Sequence, residues 1–191
     1  MSLQIPVGVS NRHLHLAKAD LEVLFGEGYQ LSVLKDLKQP GQYAAQETVT
    51  LVGPKGEIEG VRILGPLRPA TQVEISCTDS FRLGIKPPVR ESGALLDSPG
   101  LKLRGPKGEV EVVECSILAW RHIHMHTNEA EQLGVKDKEM VSVKIPGDRS
   151  VTFHNVIVRV RPDFALEMHV DTDEANACGL KSGDCVEIVK S

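Results

Sequence analysis

Apolar residues recur along this chain in short bursts broken by turn residues, not in long helical stripes. Strict alternation marks several bursts, among them Leu101-Lys102-Leu103, Val141-Ser142-Val143-Lys144-Ile145 and Val186-Glu187-Ile188-Val189. In Thr71-Gln72-Val73-Glu74-Ile75-Ser76, Val73 and Ile75 fall on one face and Gln72, Glu74 and Ser76 on the other. This period of two predicts half-buried β-strands. Helices are predicted from Leu16 to Gly26, Thr127 to Gly134 and Thr172 to Gly179.

Three internal repeats organise these elements. The turn Gly53-Pro54-Lys55-Gly56-Glu57 recurs as Gly105-Pro106-Lys107-Gly108-Glu109. Each copy sits between strand-like runs: Thr48 to Val52 and Ile58 to Leu64 in the first, Leu101 to Leu103 and Val110 to Leu118 in the second. Proline early in the turn and glycine after it predict tight hairpins. In the second repeat, Thr127 through Val141 aligns without a gap on Thr172 through Val186. Each copy opens with a threonine suited to cap a helix, followed by acidic residues in the first turn. Each helix stops at a glycine suited to a left-handed cap, and a strand follows. The third repeat pairs Arg12-His13-Leu14-His15-Leu16 with Arg121-His122-Ile123-His124-Met125. In the Thr127/Thr172 alignment, His124 also falls on His169.

The repeats predict two small β-barrels capped by helices and tightly packed together. The C-terminal pair of units makes one, and the stretch between the Arg-His-x-His motifs, residues 12–119, makes the other. The strand from Gln4 to Ser10 could join either.

Composition narrows the class. With 191 residues, 41% hydrophobic and 25% charged, the chain is long enough for a real core and ordinary for a globular protein. The net charge is -4, and the basic residues form no stripe, which argues against nucleic acid as a partner. No apolar run suits a membrane helix, and the first residues lack signal-peptide character, so a cytoplasmic location is expected. Cys77, Cys115, Cys178 and Cys185 form no Cys-x-x-Cys pair and are read as reduced, partly buried side chains.

The histidines carry the chemistry. Positions i and i+2 of a strand share a face, so His13 with His15, and His122 with His124, can each hold one metal ion, with Leu14 and Ile123 pointing into the core. Imidazole suits zinc, cobalt, nickel or iron. A single such pair means little, but two in matching frames, with His169 at an equivalent place, point to a metal role. His154 reads as a surface or packing residue, and His126 as a residue at a helix start. By alternation alone, Glu74 is a solvated strand residue.

Taken together, Val9 to Leu16, Leu64 to Glu74, Arg121 to Met125 and Glu167 to Ala177 resemble the PduL-type phosphotransacylases, also called phosphate propanoyltransferases. The likeness runs over essentially the whole chain in the same order. It implies two β-barrels, with residues 1–11 joining residues 120–191, and a dimetal site, usually zinc, in the cleft between them. It implies that His13 and His15 hold one ion with an open position, while Glu74, His122, His124 and His169 hold the other. It makes Arg68 the phosphate binder, since guanidinium matches phosphate bidentately. Val9, Ser10, Asn11, Lys35, Arg62, Leu64, Phe81 and Asn176 match positions lining the coenzyme A pocket. By themselves, Lys35 reads as a solvated lysine and Phe81 as a core residue. A homodimer is implied by the same analogy. Many relatives housed in bacterial microcompartments carry an N-terminal amphipathic targeting helix. Here the first motif starts at Val9, which leaves no room for one, so either a free cytoplasmic form or a sequence shorn of that segment is expected.

The implied reaction converts acyl-CoA (propanoyl-CoA or acetyl-CoA) plus phosphate into acyl phosphate plus CoA, and the reverse. The metals and Arg68 would position phosphate and offset its charge, and Ser92 could hydrogen-bond substrate. A metal-dependent thioester hydrolase is the rival with the same ligands. A non-enzymatic ligand-binding barrel is the second.

Overall fold

The structure is a computed structural model describing residues 3–189. The first half forms β1 (Ile5–Ser10), β2 (His13–His15), α1 (Lys18–Phe25), β3 (Val33–Asp36), β4 (Tyr43–Val52), β5 (Glu57–Gly65), β6 (Gln72–Glu74) and α2 (Cys77–Leu83). It continues through β7 (Val89–Arg90), β8 (Leu101–Arg104), β9 (Glu109–Val112) and β10 (Ser116–Ala119). The rest comprises β11 (His122–Met125), α3 (Thr127–Leu133), β12 (Met140–Ile145), β13 (Val151–Val160), β14 (Glu167–Asp171), α4 (Thr172–Cys178) and β15 (Cys185–Val189). Among the described residues the chain is therefore mostly β with four short helices, the class that the patterning predicts.

Two compact units result. Unit 1 comprises Met1–Asn11, Lys38–Pro40 and Trp120–Ser191; unit 2 comprises Arg12–Leu37 and Gly41–Ala119. Lys38–Pro40 belongs to unit 1 although its neighbours on both sides belong to unit 2. Gln39 is the tie: its side chain donates to the Ala165 carbonyl at 2.8 Å and accepts from the Ala165 amide at 3.2 Å.

Unit 1 is a closed barrel in the order β1-β14-β11-β13-β12-β15. The N-terminal strand closes it, running parallel to β14 and antiparallel to β15. Its alternate residues Ile5 and Val7 join Ile123, Met125, Val143, Val158, Met168 and Val170 in the core. Unit 2 is an open half-barrel sheet of nine strands, ordered β7-β10-β6-β2-β5-β4-β8-β9 with β3 on β4. It has its own core around Leu14, Leu24, Leu51, Ile63, Val73 and Leu103. The strand-like stretch from Val110 to Leu118 is interrupted at Glu114, whose left-handed φ of 50° turns the chain between β9 and β10.

Both repeated turns are hairpins, and both rest on helix ends. Gly53 donates to Gly56 O, and Gly105 to Gly108 O, each at 2.9 Å. Lys55 N then takes the Leu83 carbonyl at the end of α2 (3.1 Å), and Lys107 N takes the Leu24 carbonyl near the end of α1 (3.0 Å). Each turn thus satisfies a carbonyl that a helix end leaves unpaired. The approach is so close that a Cβ at Gly53 would lie 2.3 Å from Leu83 O, and one at Gly105 2.5 Å from Leu24 O. Glycine is required there by space.

The helix caps fall one residue earlier than the repeat suggests. His126 and Asp171, not Thr127 and Thr172, are the N-caps. Asp171 accepts from Glu174 N at 2.8 Å, and His126 Nδ1 accepts from Asn128 N at 3.1 Å. In return, Glu129 and Glu174 accept the N-cap amides, closing capping boxes. Aspartate outranks threonine as a cap, and the strand delivers it to that position. Gly134 and Gly179 take the expected left-handed conformation at the C-caps, with φ of 70° and 74°. All four cysteines are free; Cys115 and Cys178 are buried, and Cys77 and Cys185 are exposed. Among the described residues, no helix is long and apolar enough to cross a membrane.

Candidate functional site

In unit 2, β2 lies between β5 and β6, its alternation burying Leu14 and turning His13 and His15 to the opposite face. His13 pairs in register with Glu74 on antiparallel β6, and Glu74 Oε2 lies 3.4 Å from His13 Nε2. His15, His13 and Glu74 form one cluster, each offering a ligand atom within 4.8 Å of the others. The face around Glu74 is covered, not solvated: Gln72, two residues before it, is 1% exposed. His15 Nδ1 lies 3.2 Å from the Leu64 carbonyl, a contact favourable only when Nδ1 carries the proton. That leaves Nε2 with its lone pair, the arrangement typical of a metal-binding histidine. Burial, then the charges of Arg68 and His13, pull the His15 pKa down to about 3, so the ring is neutral at neutral pH.

Arg68 joins this cluster through Ser92. Its Nη1 donates to Ser92 Oγ at 2.9 Å, and Ser92 Oγ donates to Glu74 Oε1 at 3.0 Å. Gln72 Nε2 donates to the same two oxygens, while its own carbonyl accepts from Gly93 N at 2.6 Å. The loop bearing Arg68 is pinned by its amide to Leu16 O at 2.9 Å.

Unit 1 repeats the arrangement. On β11, Ile123 is buried, and His122 and His124 share the other face. His122 pairs in register with His169 on antiparallel β14. The three ring centroids are 4.6, 5.0 and 4.9 Å apart, and these side chains form the second cluster of possible metal ligands. His122 Nδ1 donates to the Trp120 carbonyl at 2.7 Å, again leaving Nε2 for a ligand. His124 Nδ1 is buried with no hydrogen-bond partner. Burial, then the charges of His122 and His169, and of Arg159 and Arg161, lower the His124 pKa to about 2. Glu167 Oε2 approaches His169 Nε2 to 3.2 Å, yet that nitrogen too is buried without a hydrogen-bond partner. A buried imidazole nitrogen with nothing to bind is costly, and a cation would satisfy it. Both clusters thus fit divalent metal.

The register exposes an equivalence that the repeats left hidden. Leu14 pairs with Val73 and His15 with Gln72; Ile123 pairs with Met168 and His124 with Glu167. Glu74 is thus the counterpart of His169, and Gln72 of Glu167. The sequence did carry a signal: Glu74-x-Ser76-x-x-Asp79 follows the spacing of His169-x-Asp171-x-x-Glu174. Aligning His169 only with His124 passed over it, and with it Gln72 and Glu167. His126 serves as a helix cap, and exposed His154 bonds Ser142 Oγ at 2.8 Å.

A phosphate propanoyltransferase family model matches residues 6–181. The chain belongs to this family. A phosphate propanoyltransferase of Thermotoga maritima is 62% identical over 187 residues, spanning 97% of this chain and 89% of the relative. That of Salmonella typhimurium is 56% identical over 176 residues, 92% of this chain and 83% of its own. That of Rhodopseudomonas palustris is 52% identical, across 98% of this chain and 83% of its own.

The positions that likeness to phosphate propanoyltransferases assigns to coenzyme A divide between the units. Val9 and Ser10 lie on β1, Asn11 follows it, and Asn176 is exposed on α4. In unit 2, Lys35, Ala44 and Leu64 form one register row across β3, β4 and β5, with Lys35 exposed. Arg62 pairs with His13, and its Nη1 donates to the carbonyls of Ala45 (3.0 Å) and Gln46 (2.7 Å). Phe81 is 78% exposed on α2, which removes the reading of it as a core residue.

Proposed function

We propose that this chain transfers an acyl group, propanoyl or acetyl, between coenzyme A and inorganic phosphate, with two divalent ions, zinc foremost, held by His13, His15, Glu74, His122, His124 and His169. Family membership over nearly the whole chain supports the acyl transfer, and the two clusters support the metal. The observation that carries the reading is the link from Arg68 through Ser92 to Glu74, which ties a cation suited to phosphate to a metal-ligand cluster.

In the forward direction, a phosphate oxygen bonds to the thioester carbonyl carbon, the carbon–sulfur bond breaks, and coenzyme A leaves as the thiolate. Divalent ions held by His13, His15, Glu74, His122, His124 and His169 would supply Lewis acidity to this exchange. Arg68 presents its guanidinium to the phosphate oxygens, offsetting the charge that opposes attack. Ser92 holds that guanidinium in place, and Gln72 fixes Ser92 and Glu74 together. His15 and His122 keep their ligand nitrogens aimed by donating Nδ1–H to backbone carbonyls. By resemblance, Lys35 serves the coenzyme's phosphates and Phe81 its adenine, and Val9, Ser10, Asn11, Arg62, Leu64 and Asn176 are assigned to coenzyme A on the same ground. Resemblance alone supports a homodimer, and a cytoplasmic or microcompartment-lumen setting.

Resemblance assigns Glu74 to the ion of His122, His124 and His169, whereas its approach to His13 makes it available to the ion of His13 and His15. The function is tested by following thiol release from propanoyl-CoA with and without phosphate, trapping the acyl product as hydroxamate. Phosphate-dependent thiol release matched by acyl phosphate is the expected result. Phosphate-independent release of free acid would make the chain a hydrolase and overturn the transferase reading.

A further inference from the structure

The two clusters share more than their strands. In unit 2, Arg12 immediately precedes His13; its Nε donates to both oxygens of Asp79 at 2.9 Å, and its Nη2 lies 2.8 Å from Oδ1. Asp79 is the third residue of α2 and only 4% exposed, and its Oδ2 also accepts the amide of the N-cap Ser76 at 3.3 Å. In unit 1, Arg121 immediately precedes His122 and donates from Nη1 to Glu174 Oε1 at 2.8 Å. Glu174 is the third residue of α4, and its Oε2 accepts the amide of the N-cap Asp171 at 3.1 Å. Helix α2 follows β6, which carries Glu74, and α4 follows β14, which carries His169. In both units, then, the arginine before the first histidine grips a carboxylate that lies five residues beyond the third ligand.

We infer that these two arginine–carboxylate pairs are a duplicated clamp that holds Glu74 and His169 in register against their histidine pairs, making Arg12, Asp79, Arg121 and Glu174 positioning residues for the metal ions. The inference rests on the metal reading above. Glu74 ends β6 and His169 is the third residue of β14, and each stands three residues before the helix that follows, so anchoring that helix restrains the short segment carrying the ligand. A carboxylate has about four lone-pair sites. The N-cap amide takes one, and the guanidinium reaches the carboxylate from the residue just before the histidine-bearing strand. The charge-assisted contact of Arg12 with Asp79 is forked and resists rotation where a single bond would swivel, whereas Arg121 meets Glu174 through Nη1 and is steadied by its other contacts. Metal shells tolerate ligand displacements of only about 0.2 Å, so small rotations matter. Arg121 is braced further, lying 5.1 Å over the Phe153 ring and donating to His154 O at 3.0 Å.

Zinc ion titrated into chelator-stripped protein, against a chromophoric competitor, provides the test. The wild type is expected to show two binding steps, and His13→Ala identifies the one belonging to unit 2. Arg12→Gln and Asp79→Asn should each weaken that step by about tenfold and spare the other, as loss of a supporting residue does at metal sites. Arg121→Gln and Glu174→Gln should do the reverse. The Arg12→Gln/Asp79→Asn double variant should lose no more than either single one. Arg12→Lys keeps the charge beside buried Asp79 but not the fork, so it folds and should show a smaller loss at the same step. Unchanged zinc steps alongside a lowered melting temperature would make the pairs merely structural and overturn the clamp, as would equal weakening of both steps by every variant. If Arg12→Gln fails to fold, an unchanged step in Arg12→Lys overturns it. A wild type that binds no zinc removes the metal reading and the clamp together, whereas two wild-type steps with unaltered variants remove the clamp alone.

Discussion

The two clusters are one design executed twice with a single ligand exchanged. In unit 1 the third position of the frame is an imidazole, His169; in unit 2 it is a carboxylate, Glu74. Unit 1 can therefore offer a cation three neutral nitrogens, whereas unit 2 offers two and a negative charge. The neighbours differ accordingly. Glu74 accepts hydrogen bonds from Ser92 and Gln72, and through Ser92 meets Arg68. His169 is approached instead by a carboxylate, Glu167, standing where unit 2 has Gln72. Equal backbone frames thus produce unequal sites, and the charge on the third ligand selects its surroundings.

Removing the feature peculiar to unit 2 should have the largest effect. Arg68→Ala is expected to cut phosphate-dependent turnover by about 10²- to 10³-fold while zinc content holds, because a charge-offsetting donor is lost and no ligand is. Wild-type kinetics would remove Arg68 from the reaction. Next come the ligands: His13→Ala and His122→Ala should each drop zinc content from two ions per chain toward one, read by elemental analysis. Retention of both ions in either variant would break the comparison. Glu74→His sharpens it, because it makes the two clusters alike. Zinc should remain, while turnover falls by about tenfold as the Ser92 and Gln72 contacts lose their acceptor. Undiminished turnover would mean that the carboxylate has no special part.

The smallest effect is one that the two units share. His15 titrates near 3 and His124 near 2, against 6.5 for each in an unfolded chain. Between those values the unfolded chain binds protons that the folded one refuses, so stability rises with pH and is lost on acidification from 6.5 toward 3. The melting temperature of chelator-stripped protein should therefore fall between about pH 7 and about pH 4, and His15→Gln or His124→Gln should flatten the slope. An unchanged slope would mean that other groups dominate acid unfolding.

Much of this arrangement was legible in the chain because strands and turns speak locally. Alternation around Leu14, Ile123 and Val73 set the buried faces correctly, and the Gly-Pro-Lys-Gly repeat announced both hairpins. What stayed hidden depends on pairing. Nothing local says that β6 lies antiparallel to β2 with Glu74 opposite His13; that register joins residues far apart in sequence. The same holds for Arg12 and Asp79, and for Ser92, a loop serine whose importance comes from what folds against it. Nor could periodicity reveal that one sheet closes and the other stays open, because closure depends on which strands meet at the edges.

The barrel of unit 1 is completed by β1, which precedes every other described strand in the chain. Ile5 pairs with Val186 and Val7 with Met168, so β1 finds its partners only after almost all of the chain has been synthesised. Closure of this unit is a late event with a large loop-entropy cost, and the nascent β1 must wait with its edges unpaired. A gene divided at the boundary after Ala119 would strand β1 on the wrong fragment, so the second fragment should close its barrel only when residues 1–11 are transplanted to it.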